Sequence, residues 1–308
     1  MSAREVIFLG TASQVPTRTR SHNALFLFWD ELGILFDPGE GTQRQMTHAG
    51  IAATQITHVA ITHFHGDHCL GLPGVVQRLS LDRVGHPVHV IYPRSGKVFF
   101  DRLRHACAFA DQANLVPRPV GGVADEEVLV GRWGKLRLTA RLLDHGLECY
   151  GYRLQEDDGR RMLPEALERA GVRGPAVGQL IRQGWVMAGG GKVHLDEVSA
   201  PRPGQAFALV MDTRLCPGAE QLARAADLLV CESTYLGEEE QEAHDHYHLT
   251  AAQAATLAQA AGVRRLALTH FSQRYLTLEE FAKEASAIHP DVVVAEDLAR
   301  VPVPSRIM

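Results

Sequence analysis

No run in the sequence approaches 18 consecutive apolar residues, which excludes a membrane-spanning helix. The opening MSAREVIFLG has no basic stretch followed by an apolar run of signal-peptide length, so the expected location is cytoplasmic, with no membrane partner. Cysteine is sparse: five residues, odd in number, widely spaced and without a CxxC pair. That excludes a disulfide framework and fits reduced thiols. Lysine is scarcer still, at four of the 31 basic residues, and the net charge is −5. A protein that coats nucleic acid by bulk electrostatics would be basic, so any such contact must come from a local patch. Repeats and low-complexity segments are absent. With 45% hydrophobic and 22% charged residues, the chain is neither disordered nor fibrous.

What is present is an alternation of short apolar runs and amphipathic stretches. Strands are expected at 5–9, 24–29, 33–37, 57–62, 88–92, 136–143, 150–154, 206–211, 228–232, 265–269 and 292–294. Helices are expected at 41–49, 70–81, 96–107, 163–170, 217–226, 250–261 and 278–288. Two sheets between helical layers would bury both sets. Residues 155–205, rich in glycine, proline and charge, interrupt the pattern. Their first part, about 155–183, reads as a protruding arm on a single domain spanning 1–308.

Histidine is plentiful, at 16 residues. The sharpest cluster is ITHFHGDHCLGLPG, which places His63, His65, Asp67 and His68 just after an apolar run. On an extended turn His63, His65 and Asp67 would converge on one side, and Gly66 permits tight backbone. Three imidazoles and a carboxylate suit Zn²⁺, with carboxylate capacity for a second ion.

This HxHxDH spacing resembles the signature of the metallo-β-lactamase superfamily, an αββα sandwich. Longer matches resemble the ribonuclease Z family of tRNA 3′-processing endonucleases in its short form. They are FLGTASQVPTRTRSHN, LFDPGEGTQRQM, HGLECYGYR, MDTRLCPGA, CESTY, HLTAAQAA and LTHFSQRY, spread over about residues 5–294. The resemblance implies two Zn²⁺ per subunit, with Mn²⁺ or iron also suited. One ion would take His63, His65 and His145; the other Asp67, His68 and His270; Asp212 would bridge them. It implies precursor tRNA as substrate, cut to leave a tRNA 3′-hydroxyl and a trailer 5′-phosphate, and a homodimer as the assembly. Asp67 and His248 would be catalytic, His248 as the acid that protonates the leaving 3′-oxygen. Asp37 and Glu232 would steady the ligands from behind.

Substrate contacts are expected from Arg18 and Arg20 in the Pro16–Asn23 loop, and from Ser272, Arg274 and Tyr275 after His270. Arg160, Arg161 and Arg173 on the arm would neutralise phosphates, although the arm also carries the acidic run Glu156-Asp157-Asp158. The competing reading is a small-molecule phosphodiesterase, arylsulfatase or lactonase of the same fold, which needs the metal site and no arm.

Overall fold

The computed structural model describes residues 4–306. Two seven-stranded sheets carry the fold. The first runs in the order Arg300–Pro302, Arg4–Gly10, Ala24–Trp29, Leu32–Phe36, His58–Ala60, Val88–Pro93, Leu115–Val120. Its first three pairings are antiparallel and its last three parallel. The second runs Val292–Val294, Arg265–Thr269, Leu228–Glu232, Ala206–Val210, Tyr150–Glu156, Leu136–Leu142, Val128–Trp133. The strands from 292–294 to 206–210 pair in parallel, and the last two are antiparallel.

The strands read as near-continuous apolar runs because both faces are covered. In Arg4–Gly10, Val6 and Phe8 join a core shared with Phe207, Leu209 and Val230 of the other sheet. Ile7 and Leu9 face the opposite way, against Met46, Leu72, Val76 and Phe100 of the helices outside. The second sheet repeats this, packing Val210, Leu229 and Leu268 against Leu222, Ala254, Ala258 and Phe281. The result is the αββα sandwich expected from the sequence. Among the described residues, no helix is long and apolar enough to cross a membrane.

The parallel register lines up the strand ends that matter. Phe36 pairs with Ala60, so Asp37 and the segment Ile61–His63 leave the sheet side by side. Glu232 pairs with Thr269, so Glu232 and His270 leave the second sheet together. Such carboxyl ends are where open α/β sheets hold ligands.

One local expectation is corrected. The HxHxDH segment is not an extended turn throughout: Gly66–Cys69 forms a short helix with His65 as its N-cap. The helix expected at 70–81 begins at Leu72, after Gly71. A Cβ on Gly71 would lie 1.9 Å from the Gly39 carbonyl oxygen, so this close crossing requires glycine.

Residues 155–205 form a compact unit of their own. It holds the ribbons Gly159–Met162 with Ser199–Arg202 and Trp185–Ala188 with Gly191–His194, and the helices Pro164–Arg169 and Pro175–Gln183. Ala166, Val172, Leu180, Val186, Val193 and Val198 make its small core.

Candidate metal centre

Seven side chains converge at this rim. His63, His65, His145 and Asp212 bring one ligand atom each within 4.8 Å of one another, and so do Asp67, His68 and His270. Asp212 reaches both groups. Its Oδ2 lies 3.6 Å from His63 Nε2 and 3.4 Å from His68 Nε2, and its Oδ1 lies 3.3 Å from His270 Nε2.

Several ring nitrogens face each other directly. His63 Nε2 to His65 Nδ1 is 3.0 Å, His145 Nε2 to His65 Nδ1 is 3.2 Å, and His68 Nε2 to His270 Nε2 is 3.2 Å. Two nitrogens on one tetrahedral zinc, at about 2.0–2.1 Å from it, stand about 3.3 Å apart. The buried Oδ1 of Asp212 has no aligned hydrogen-bond donor. An unsatisfied buried carboxylate oxygen among converging imidazoles fits a divalent cation. Burial opposes ionisation of Asp67 and Asp212, yet the neighbouring His68 and His270 hold both carboxyls well below the usual range.

The imidazoles are aimed from behind. Asp37 Oδ1 accepts from the Thr62 backbone N–H at 2.7 Å, and its Oδ2 accepts from Thr62 Oγ1 at 2.8 Å. Thr62 Oγ1 then lies 2.9 Å from His63 Nδ1, and Asp37 Oδ2 lies 2.9 Å from His68 Nδ1. On the other sheet, Glu232 accepts from the backbone N–H groups of Thr213 and Thr234 at 3.0 and 3.1 Å, and from Thr234 Oγ1 at 2.7 Å. Thr234 Oγ1 lies 3.0 Å from His270 Nδ1, and Glu232 Oε1 lies 3.0 Å from His248 Nδ1. Occupying Nδ1 fixes each tautomer and turns Nε2 inward. His145 follows the same logic, with Nδ1 3.3 Å from the Tyr247 carbonyl.

Convergence is bought with backbone strain. Asp37, Asp212, Tyr247, His270 and Gln14 all hold φ between 35° and 64°. Left-handed backbone at a non-glycine residue costs about 1–3 kcal/mol, and the dense hydrogen bonding here offsets it. At Gln14 the twist lets the backbone N–H donate to Asp67 Oδ2 at 2.7 Å.

His248 forms part of a third group with Asp212 and His270 and is 7% exposed. It borders a cavity of about 350 Å³ that opens onto His65, Asp67, His145 and Asp212. Burial works against its charge, but Glu232 wins and raises its pKa to about 9.

The expected substrate contacts divide. Ser272 and Arg274 line this cavity. Arg274 is engaged there, donating to both carboxylate oxygens of Glu242 at 2.9 and 2.6 Å. Arg20 turns inward instead, 7% exposed, donating to the carbonyls of Ser272 and Tyr275 at 3.1 and 2.8 Å. It braces the loop against the segment after His270. Tyr275 also lies away from the cavity lining, its hydroxyl bound by Glu239 and by the Leu236 N–H. Arg18 is exposed on its loop. Within residues 155–205, Arg160 is tied to Ser199 and Asp196, while Arg161 and Arg173 are exposed.

Sequence reasoning missed Thr234, Thr213 and the Gln14 N–H. The one signal for Thr234 was its place two residues after Glu232, on the same side of an extended segment.

The sandwich and its convergent ligands define a metallo-β-lactamase-fold protein. Residues 198–271 match the family described as a beta-lactamase superfamily domain, and residues 4–99 that described as anti-Pycsar protein Apyc1. The chain is 56% identical over 308 residues to ribonuclease Z of Streptomyces coelicolor, covering 99% of this chain and 100% of that one. To ribonuclease Z of Nocardia farcinica it is 53% identical over 307 residues, with the same coverage. It superposes on the crystal structure of the short form of human tRNase Z with a TM-score of 0.72 and 25% identity, covering 98% of this chain and 100% of that one. The chain belongs to the ribonuclease Z family.

Proposed function

We propose that the chain is a metal-dependent endoribonuclease that removes 3′ trailers from tRNA precursors. The observation that carries this is the convergence of seven ligand side chains beside His248, in a chain more than half identical to a ribonuclease Z over its length. His63, His65, His145 and Asp212 would hold one divalent cation, and Asp67, His68, His270 and the shared Asp212 a second; the imidazole-rich set suits zinc. When bound, such ions lower the pKa of a water and neutralise charge on a phosphate.

The remaining steps belong to the chain. Asp67, fixed by the Gln14 N–H, presents a carboxylate that can orient the attacking water. His248 stays protonated at neutral pH because Glu232 faces its Nδ1, and its Nε2 is free to protonate the departing 3′-oxygen as the phosphorus–oxygen bond breaks. The tRNA then ends in a 3′-hydroxyl and the trailer in a 5′-phosphate. Ser272 and Arg274 border the path of the scissile phosphate, and Arg274 exchanges Glu242 for it. Arg18, Arg161 and Arg173 meet phosphates further along the RNA. The working form is a cytoplasmic homodimer, as the family resemblance implies.

The test is cleavage of one 3′-extended tRNA precursor, with and without chelator and re-added Zn²⁺ or Mn²⁺, mapped to the nucleotide. A single metal-dependent cut after the discriminator nucleotide is expected. Hydrolysis of bis-p-nitrophenyl phosphate with no cut in the RNA would replace this reading by a small-molecule phosphodiesterase.

A further inference from the structure

The loop after the first strand, Arg4–Gly10, makes a strained turn at the edge of the catalytic cavity. Ala12 bridges to His22 and to Phe271, and the Ser13 N–H donates to the Phe271 carbonyl at 3.0 Å. The chain then reverses. The Val15 N–H donates back to the Ser13 carbonyl, and Gln14 between them holds φ at 51°. A γ-turn of this positive-φ kind is rare and strained, and it persists only where its surroundings fix it. Ser13 and Gln14 both line the cavity that opens onto His65, Asp67, His145 and Asp212.

Two further hydrogen bonds hold the turn, one on each peptide group beside the Gln14 Cα. On the amino side, the Gln14 N–H donates to Asp67 Oδ2 at 2.7 Å. On the carboxyl side, the Gln14 carbonyl oxygen lies 3.0 Å from His22 Nε2. A carbonyl can only accept, so Nε2 carries the proton and donates. The other ring nitrogen, Nδ1, is buried without a partner. Gly39 lets the two anchors come together. A Cβ there would lie 2.2 Å from the Asp67 carbonyl oxygen and 2.7 Å from His22 Cβ, so this crossing excludes any side chain.

Asp67 Oδ2 also lies 3.4 Å from His68 Nε2 and 3.5 Å from His270 Nε2. The Gln14 N–H thus fixes the oxygen that faces the candidate ligands, which leaves the other oxygen for the attacking water. Freeing the Gln14 carbonyl would let the turn relax towards negative φ and swing that N–H off Asp67.

We propose that His22 is a positioning residue for Asp67: by pinning the Gln14 carbonyl it keeps the Gln14 N–H on the carboxylate. The inference rests on the hydrolytic reading of the metal centre. It concerns the side of attack, whereas His248 serves the side of departure.

The test compares His22→Ala with His22→Gln, whose side-chain amide restores an N–H donor at similar reach. The first readout is the backbone ¹H–¹⁵N resonance of Gln14 in the Zn²⁺-loaded protein, which a short bond to a carboxylate deshields. It should move upfield and exchange with solvent faster in His22→Ala, and return in His22→Gln. The second is kcat at saturating Zn²⁺ on precursor tRNA and on bis-p-nitrophenyl phosphate, whose phenolate departs without an acid and so reports on attack. His22→Ala should lower kcat about 10–100-fold on both substrates with KM little changed, and His22→Gln should recover most of it. A Gln14 resonance unmoved in His22→Ala, a change confined to KM, or no recovery in His22→Gln would overturn the proposal. Should the wild-type protein hydrolyse the ester and leave the RNA whole, the tRNA reading falls, and the ester and the Gln14 resonance decide this inference by themselves.

Discussion

The two sheets support the metal centre with the same device built twice. On the first, the buried carboxylate of Asp37 accepts from a backbone N–H and from the Thr62 hydroxyl, which in turn meets His63. On the second, Glu232 accepts from two backbone N–H groups and from the Thr234 hydroxyl, which meets His270. Each carboxylate also faces one further imidazole, His68 for Asp37 and His248 for Glu232. The difference lies in what those two rings face. His68 is fully buried, with Nε2 among Asp67, Asp212 and His270. His248 borders the open cavity. A buried carboxylate thus orients a ring enclosed among other candidate ligands in one half and a ring beside the open cavity in the other. The local motif does not set the role; the neighbours of the far nitrogen do.

The comparison can be broken at its shared member first. Asp212→Ala should abolish cleavage, by about 10³-fold or more, and lower the content of both ions measured by mass spectrometry. Retention of either ion at full occupancy would show that Asp212 is not common to the two groups. Next, His248→Ala should cut kcat by about 10²–10⁴-fold with metal content unchanged, whereas His68→Ala should lose metal. Equal metal loss in both variants would make the two rings alike and remove the distinction.

The carboxylates then sharpen it. Asp37→Asn should weaken metal binding by about 10–100-fold, read by competition with a chromophoric chelator. Glu232→Gln should act mainly on pH dependence. His248 is charged below about 9 and loses its proton above it, so activity falls through the alkaline limb. Removing the Glu232 charge lowers that pKa, and the limb moves to lower pH. A limb that stays in place would exclude His248 as its source. The smallest effects are expected from Thr62→Val and Thr234→Val. Each leaves a buried carboxylate oxygen short of a donor and should cost about 1–3 kcal/mol in denaturant unfolding.

Much of the centre was legible because it is local. HxHxDH lies within six residues, and His145, Asp212 and His270 each follow an apolar run that could only be a covered strand. The inner strands were equally plain, since burial on both faces makes them apolar throughout. The three sandwich strands that were missed, Leu115–Val120, Val128–Trp133 and Arg300–Pro302, all lie at sheet edges. Edges tolerate the prolines of LVPRPV and the bulge at Gly131, and they need less apolar surface, so the pattern fades where pairing ends. The ribbons within 155–205 were missed for a related reason: each strand is four residues long, and most of their side chains are not buried.

Residue type and strand-end position, written in the chain, select seven ligand candidates and a sandwich to carry them. They do not say which nitrogen of each imidazole points inward, because the partners that decide it come from other strands and loops: Asp37 for His68, Tyr247 for His145 and Thr234 for His270. Nor do they say that Arg20, in a loop rich in polar residues, spends its guanidinium on carbonyls some 250 positions away. A charge's availability depends on what packs against it, and that is settled when the two sheets close on each other.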